Sequence, residues 1–312
     1  MKISAIGGGP AALYFAILRK KAHPEDDVVL YERNAPPQTF GWGVVFSDET
    51  LSNFQAADAP THDAIQRAFV HWTDIDVFVK GERIRSAGHG FAGMGRRALL
   101  TVLQNRAREL GVRMVFDREI DTADIERIAA ESDLLLGADG VNSKVRERWE
   151  AELQPSIDVR KCKYIWLGTD LRLDAFTFLF EKNEHGIFQV HAYPFDAETS
   201  TFIVECDEAS WKAAGLDRAS TEESVAYLEK LFAKHLAGHR LLTNKSLWIN
   251  FPTIKNERWF ARNVVLLGDA ARTAHFSIGS GTKLAMEDAI ALAKHLEATA
   301  DLGEALRGYE AE

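Results

Sequence analysis

A glycine-rich turn near the N-terminus has the spacing that binds the pyrophosphate of a dinucleotide. Gly7, Gly9 and Ala12 form a G-x-G-x-x-A pattern between an apolar run and a helical run. Gly7 permits a tight turn, Gly9 lets the backbone approach a pyrophosphate, and Ala12 lets the helix pack closely on the sheet. Pro10 and Ala11 lie at the start of the helical run. Its first free N–H groups and the positive end of its dipole would then face the phosphates.

An acidic residue follows at the position that contacts the adenosine ribose. Glu32 lies 20 residues after Ala12 at the end of the next strand-like run, where a carboxylate accepts hydrogen bonds from the ribose hydroxyls. We place the adjacent Arg33 among the cofactor-binding residues as well. This motif alone leaves FAD and NAD both open, and a glycine turn without a ligand is its structural alternative.

A second glycine-rich turn lies near the other end of the chain. Gly268 and Asp269 follow a short apolar run, and Gly279-Ser280-Gly281-Thr282 opens a helical run that continues to about residue 298. N–H groups at a helix start stabilise negative charge, such as that on a reduced flavin. Asp269 is placed either to accept hydrogen bonds from a ligand or to cap a helix. The two turns together predict one FAD site.

Two layers of different type must position these turns. Strand, turn, helix and strand occupy residues 2–32, and a helical run at 96–110 leads to strands near 112–116 and 134–136. After about residue 158, β-rich runs follow without helices between them, as in an antiparallel sheet. We predict the α/β class, with a Rossmann-like FAD-binding domain and an inserted, largely antiparallel β-sheet substrate domain.

The change of pattern along the chain also predicts the domain boundaries. The FAD-binding domain would comprise residues 1–70, 94–158 and 257–312, and the substrate domain residues 71–93 and 159–256. Within the latter we predict strands at residues 164–169, 176–181, 187–193, 200–205 and 247–251, and a helix at 222–236. A last helical run reaches Glu312 without a stop signal, so we expect that the chain continues in a longer protein.

Composition limits the classes of function. The chain has 312 residues, 46% of them hydrophobic, and a net charge of -9, which disfavours a nucleic-acid partner. No apolar stretch approaches the roughly 20 residues of a membrane span, so we expect a cytoplasmic protein with no membrane partner. Cys162 and Cys206 lack C-x-x-C spacing and are expected to be buried. His235 and His239 have no third ligand, so we predict no metal site.

Four further motifs carry a family resemblance. They are Arg96-x-x-Leu99, then Gly137-Ala138-Asp139-Gly140, then Gly268-Asp269-Ala270-Ala271, and then Gly279-x-Gly281 ahead of a helix that contains Asp288-Ala289. In this order they resemble the single-component aromatic flavoprotein monooxygenases of the p-hydroxybenzoate hydroxylase type, over essentially the whole chain. The family commonly has GDAAH, a Pro-Pro pair and an Asn where this chain has Arg272, His275-Phe276 and Lys283.

The resemblance implies roles for several of these residues. Arg96 would contact the flavin nucleotide, and Asp139 would order a loop that serves both FAD and the pyridine nucleotide. Asp269 would accept hydrogen bonds from the ribityl hydroxyls of FAD, and Val44 would also contact the cofactor. The implied reaction consumes NADH or NADPH and O2, and a flavin C4a-hydroperoxide transfers oxygen to an electron-rich ring.

A narrower resemblance concerns the substrate. The segments at residues 40–50, 163–169, 200–205 and 274–279 are similar to the N-terminal monooxygenase part of the aryl-CoA enzymes salicylyl-CoA 5-hydroxylase and 2-aminobenzoyl-CoA monooxygenase/reductase. They are less similar to the tryptophan hydroxylase of violacein synthesis. The resemblance implies an aromatic substrate, such as a CoA thioester, and a flavin reductase module that follows in the full-length protein. A free indole substrate, or a non-catalytic FAD-binding module, are the alternatives.

Candidate substrate residues follow from the same segments. His275 is the candidate catalytic residue, because it could hydrogen-bond a phenol or aniline substituent; holding the backbone of its own turn is the alternative. Trp42 and Trp166 would wall an aromatic pocket, or pack in the core, and Phe276 is a further candidate substrate residue. The basic cluster, which we define as Arg160, Lys161 and Lys163, would meet CoA phosphates or form a solvated strand edge.

Overall fold

The structure is a computed structural model and describes residues 1–36, 38–39, 41–276 and 279–312, with the backbone alone described at residues 48–50. The strands in chain order are β1 (Lys2–Ile6), β2 (Asp27–Tyr31), β3 (Gly43–Ser47), β4 (Val70–Trp72), β5 (Ile75–Val79), β6 (Glu82–Ser86), β7 (Phe91–Gly95), β8 (Arg113–Val115), β9 (Leu134–Gly137), β10 (Pro155–Thr169), β11 (Phe176–Asn183), β12 (Gly186–Pro194), β13 (Ser200–Cys206), β14 (Leu241–Leu242), β15 (Ile249–Asn256), β16 (Phe260–Ala261) and β17 (Val264–Leu266). The helices are α1 (Pro10–Ala22), α2 (Asp48–Ala57), α3 (Ala59–Gln66), α4 (Arg96–Glu109), α5 (Thr122–Glu131), α6 (Lys144–Arg148), α7 (Glu150–Leu153), α8 (Glu208–Ala213), α9 (Thr221–Leu231), α10 (Ala233–Leu236), α11 (Gly281–Ala298) and α12 (Leu302–Ala311), with a short 3-10 turn at Gly268–Ala270.

The first sheet is the parallel layer that the N-terminal pattern predicts, apart from its edge strand β16, which runs antiparallel to β17. Its strand order is β16-β17-β9-β1-β2-β8, and β1 runs parallel to both β2 and β9. One face packs on α1, α4 and α11 through buried side chains such as Tyr14, Leu99 and Met286. Ile125 of α5 and Val145 of α6 cover the other face. Because parallel strands are buried on both faces, their sequences are continuously apolar, and the predicted α/β class is confirmed.

The second sheet is the largely antiparallel layer. Its order is β14-β10-β13-β12-β11-β5-β6, with β15 paired to β10, and the parallel pair is β5 with β11. One face is apolar and packs on α8, α9 and α10 through Phe188, Phe202 and Phe232. A small sheet, β3-β7-β4, connects the two layers, and Trp72 of β4 contacts Tyr193 of β12.

The structure differs from the predicted elements at three places. β10 begins at Pro155 and not at residue 164, because β15 pairs along its exposed first half and itself runs from Ile249 to Asn256. The predicted helix at 222–236 divides at Phe232, whose backbone leaves the helical conformation at φ -99° and ψ 16°. Cys162 lies on the exposed part of β10, so the prediction that it is buried is wrong, whereas Cys206 is buried.

The predicted domain boundaries stay a prediction, and the one at residue 158 falls inside β10. Among the described residues, none of the helices combines the length and the apolar composition needed to cross a membrane.

Candidate functional site

The loops that follow neighbouring parallel strands meet at one edge of the first sheet. β17, β9, β1 and β2 are adjacent and parallel, so their carboxyl ends lie together. Gly7 follows β1, Glu32 follows β2, Asp139 follows shortly after β9, and Gly268 after β17. The fold therefore brings the two glycine-rich turns together from opposite ends of the chain.

The first turn has the shape that a pyrophosphate needs. Gly7 has φ +106°, and a Cβ there would lie 2.2 Å from the carbonyl oxygen of Ala138, so no other residue fits. A Cβ on Gly9 would meet nothing within 4 Å, and Gly9 is the N-cap of α1 without a side-chain cap. Open space therefore faces a helix start whose N–H groups no side chain caps, as the fit of an anion requires.

Glu32 lies beside this turn. Its carboxylate accepts hydrogen bonds from the backbone N–H of Gly8 at 2.8 Å and of Asn34 at 2.8 Å. Arg33, by contrast, is exposed. The contact with Gly8 fixes the carboxylate at the edge of the first turn, where a ribose would lie.

Asp139 uses its carboxylate to order its own loop. It accepts hydrogen bonds from the hydroxyl of Ser143 at 2.5 Å and from the N–H groups of Lys144 and Val145 at 2.7 and 3.2 Å. Burial raises the pKa of Asp139, and these hydrogen bonds oppose the increase. Arg146 of the same loop donates to the carbonyl of Ala270 at 3.1 Å, which joins this loop to the distal turn.

The distal turn is held by a buried carboxylate on α11. Gly268 has φ +60°, and its N–H donates to Asp288 Oδ2 at 2.9 Å. Arg272 Nη2 donates to Asp288 Oδ1 at 2.6 Å, so the residue that departs from the family pattern pairs with the same carboxylate. This contact could not be predicted from sequence spacing, because it joins a turn to a helix that begins nine positions later.

Asp269 lies in the distal turn, and its electrostatic neighbour is Arg96. Its side chain is exposed to solvent, and yet burial by the surrounding protein raises its pKa, while the charge of Arg96 opposes the increase. A carboxyl that is both accessible and poorly hydrated is typical of a cleft wall.

Arg96 lies at the start of α4, close enough to Asp269 for their charges to interact. Burial lowers the pKa of Arg96, and the charge of Asp269 opposes that shift. The backbone N–H of Arg96 donates to the carbonyl of Trp42 at 2.8 Å, which ties α4 to the segment before β3. Val44 of β3 is buried and pairs with Met94 of β7. Arg96 and Asp269, predicted to bind the flavin nucleotide, are thus electrostatic neighbours.

The start of α11 completes this edge. Gly279 has φ +69°, and a Cβ there would lie 2.5 Å from Val45 Cγ1. Ser280 is the N-cap without a side-chain cap, no acidic residue occupies the first turn, and a Cβ on Gly281 would meet nothing within 4 Å. Thr282 follows within the helix. Phe40, Ser277 and Ile278 lie outside the described residues.

The second sheet presents a polar and aromatic face on the side away from its helices. Side chains alternate along a strand, so Tyr164 and Glu205, which pair across β10 and β13, share a face with Gln189 and His191 of β12. Phe276 from the distal turn packs on this face, 4.2 Å from Tyr164 and 5.3 Å from His191 between ring centroids. We call this surface the substrate-facing side of the second sheet.

His275 also lies against this side. Its ring is 4.3 Å from Phe276 and 5.0 Å from Phe251 between centroids, and its Nε2 lies 3.8 Å from Glu205 Oε1. Glu205 accepts a hydrogen bond from Gln189 at 2.6 Å. His275 therefore lies in the distal turn beside a buried carboxylate, a position that fits both a substrate contact and a structural role.

His191 is the residue that sequence reasoning missed. It is 3% exposed on a strand whose side chains, apart from that of Gln189, are otherwise apolar or aromatic, and its Nε2 has no hydrogen-bond partner among the described residues. Burial, and then the nearby His275, lower the pKa of His191 to about 3. A histidine inside an apolar strand is the signal that could have identified it, but its face depends on the strand register.

Trp42 and Trp166 each pack against a glycine. A Cβ on Gly168 would lie 2.7 Å from the ring of Trp42, and one on Gly41 would lie 2.7 Å from that of Trp166. Trp166 Nε1 donates to Thr201 at 2.7 Å, whereas the buried Nε1 of Trp42 has no partner in the described part of the chain.

The remaining candidates lie farther along the second sheet. Arg160 and Lys161 of the basic cluster are exposed, and Arg160 pairs with Asp158 at 3.1 Å. Lys163 lies 4.5 Å above the ring of Trp211. His235 contacts Glu181 and His239 contacts Asp170, so the two histidines have different carboxylate partners.

Comparison with known proteins gives a family match over nearly the whole chain. The family described as FAD binding domain matches residues 2–311. A salicyloyl-CoA 5-hydroxylase from Streptomyces sp is 46% identical over 320 residues, which cover 99% of this chain and 61% of that protein. The chain thus spans about three fifths of the length of this relative.

A second relative and a solved structure extend the match. A 3-hydroxy-4-methyl-anthranilyl-(aryl-carrier protein) 5-monooxygenase from Streptosporangium sibiricum is 36% identical over 99% of this chain and 83% of that protein. The tetrameric form of 2-methyl-3-hydroxypyridine-5-carboxylic acid oxygenase has a TM-score of 0.80 at 21% identity, covering 99% of this chain and 86% of that one. The latter likeness concerns the fold alone.

Proposed function

Since the chain belongs to the FAD-binding-domain family of flavoprotein monooxygenases, as its motifs predict, we propose that it hydroxylates the ring of an aryl-CoA thioester with NAD(P)H and O2. In the balanced reaction, one aromatic C–H group, O2, NAD(P)H and a proton are converted to the phenol, NAD(P)+ and water. The observation that carries the proposal is that Phe276, in the distal turn, packs on the substrate-facing side of the second sheet.

The residues at the carboxyl edge of the first sheet fit FAD. The open space at Gly9 and the uncapped start of α1 suit the pyrophosphate, and Glu32 suits the adenosine ribose. Asp269 would accept hydrogen bonds from the ribityl chain, and Arg96 would balance negative charge beside it. When bound, FAD supplies the redox chemistry that activates O2.

The chain's own contribution is to hold the ring and exclude water. Tyr164 and Phe276 form an aromatic wall, and Trp166 lies on the same face of the sheet. Aromatic walls orient a planar ring and lower the local dielectric, which protects reactive species from water. His275 would hydrogen-bond a ring hydroxyl or amino group and increase the electron density of the ring.

The thioester part of the proposal is supported by the names of the two sequence relatives. One acts on a CoA thioester and the other on an aryl group carried by a protein. The basic cluster begins four residues before Tyr164 on β10, roughly 13 Å along a strand at about 3.3 Å per residue. Arg160 and Lys161 are exposed there, so a CoA chain that leaves the aromatic wall would meet positive charge.

We propose that the pyridine nucleotide docks transiently on the FAD-binding domain. The pattern at Gly279 and Gly281 lies well after β17 and lacks a third small position, so it does not form a second dinucleotide-binding unit of the type at Gly7.

Substrate-stimulated NADH and NADPH oxidation tests the proposal. The FAD-loaded protein is assayed with salicyloyl-CoA, 2-aminobenzoyl-CoA and free tryptophan, and products are weighed by mass spectrometry. Oxidation of the nucleotide that is stimulated by the thioesters, with a product heavier by one oxygen atom, supports the proposal. Stimulation by tryptophan alone indicates a free indole substrate instead. A protein that binds FAD but consumes no O2 with any of them is a non-catalytic module.

A further inference from the structure

His191 lies at the centre of the substrate-facing side of the second sheet and has no role in the function proposed above. On β12 it stands between Phe178 of β11 and Ile203 of β13, its cross-strand neighbours. Phe276 covers its ring, with 5.3 Å between centroids and 19° between planes. Its cross-strand neighbours and the ring that covers it are therefore apolar, and the imidazole is 3% exposed.

The edge of this imidazole lacks a partner. His191 Nε2 is buried and has no hydrogen-bond partner among the described residues. A buried polar atom without a partner costs stability, and native structures keep few of them without a reason. The side chains of Phe178, Ile203 and Phe276 offer no polar group in exchange, so a polar group of a bound ligand can supply this hydrogen bond.

The location of His191 indicates which ligand this is. Phe276 contacts both His191 and Tyr164, so the histidine lies under the same aromatic wall that would hold the substrate ring. The ring of His275 also contacts Phe276, with 4.3 Å between their centroids. The substrate ring carries the polar substituents that can approach this wall, whereas the CoA portion would leave toward the basic cluster.

We infer that His191 Nε2 hydrogen-bonds the hydroxyl or amino substituent of the substrate ring and thereby selects rings that carry one. The inference rests on the proposed function, since it takes the substrate to be aromatic. A hydroxyl both donates and accepts hydrogen bonds, so His191 and His275 do not compete for it.

The protonation state of His191 makes this contact a hydrogen bond and not a proton transfer. With its pKa lowered to about 3, the imidazole is neutral at pH 7. A phenol with a pKa near 10 keeps its proton beside so weak a base. His191 is therefore a specificity-determining residue and not a general base.

Ligand pairs that differ in one ring substituent test the inference. The FAD-loaded wild type, His191→Phe and His191→Gln are titrated by calorimetry with salicyloyl-CoA and with benzoyl-CoA, which lacks the ring hydroxyl. Phe keeps the packing under Phe276, and Gln keeps polar groups near the position of Nε2. We expect His191→Phe to weaken the binding of salicyloyl-CoA about tenfold and that of benzoyl-CoA less than about twofold. His191→Gln should retain most of the affinity for salicyloyl-CoA.

Equal weakening of both thioesters, or of neither, overturns the inference. His235→Phe is the matched control, because His235 lies on α10, at the opposite face of the second sheet, and contacts Glu181 and Phe78 there. Phenol and toluene form a second pair without a thioester. Preferential binding of phenol over toluene that is lost in His191→Phe, with no binding of either thioester, contradicts the proposed substrate class but supports the inferred role of His191.

A measurement on the wild type covers the case in which His191→Phe does not fold. In protein labelled with 15N-histidine, the His191 Nε2 resonance is assigned by its absence in His191→Gln. Salicyloyl-CoA or phenol should shift it, and benzoyl-CoA or toluene should leave it in place. A resonance that responds equally to both members of each pair overturns the inference.

Discussion

Replacing Asp269 is the substitution that most directly probes the FAD site. The carboxyl of Asp269 is accessible, and its pKa is raised because the surrounding protein limits its hydration. A hydrogen bond to a charged acceptor contributes about 1.5–3 kcal/mol. At about 1.4 kcal/mol per factor of ten, the loss of one such bond in Asp269→Ala should weaken FAD binding about 10- to 150-fold.

The assay is a fluorescence titration of apoprotein with FAD at several pH values. Asp27→Asn is the control, because Asp27 is an exposed carboxylate at the opposite end of β2 and pairs loosely with Arg113 at 3.7 Å. Wild-type affinity should also fall as the pH decreases through the raised pKa of Asp269, since the protonated carboxyl is a weaker acceptor. An Asp269→Ala protein that binds FAD within about threefold of the control refutes the assigned role.

Three further predictions concern the first turn, the distal turn and stability in acid. Gly7→Ala should lower the free energy of unfolding by at least about 2 kcal/mol in urea titrations, and by more than Gly81→Ala, where φ is also positive but a Cβ meets nothing within 4 Å; equal losses would contradict the steric reason. His275→Ala should keep FAD but reduce the product formed per NADH oxidised, and unchanged coupling would remove its assigned role. Burial would raise the pKa of Asp58, but hydrogen bonds, the first of them from Arg106, lower it overall. The ionised carboxylate of Asp58 therefore stabilises the fold above its unfolded pKa of about 4, and this stabilisation is lost as the pH falls through its folded pKa. Asp58→Asn should flatten the decrease in unfolding free energy below pH 4. An unaltered acid profile would contradict this.

The local parts of the fold and site follow from the sequence because their signals are local. The G-x-G-x-x-A spacing predicts β1, the turn and α1, and the apolar run before Gly268 predicts β17 and the distal turn. Parallel pairing then brings both turns to one edge. The positive φ values at Gly7 and Gly268 explain why glycine is required at both positions.

The parts that sequence reasoning missed depend on contacts between distant segments. His191 faces the substrate side only because β12 pairs in a particular register with β11 and β13, and one residue of slippage would turn it to the apolar face. Arg272 contacts Asp288 only because α11 returns beneath the distal turn. The exposure of Cys162 follows from the extension of β10 beyond the sheet core, where exposed residues flank it.

Ring hydroxylation with isotopically labelled oxygen tests the central proposal most directly. The FAD-loaded protein is incubated with salicyloyl-CoA, NADH or NADPH and 18O2, and the thioester is analysed by mass spectrometry. The proposed function predicts one 18O atom in the ring for each reduced nucleotide consumed. Recovery of unchanged salicyloyl-CoA and 2-aminobenzoyl-CoA, with bound FAD and with all consumed O2 released as hydrogen peroxide, would contradict it.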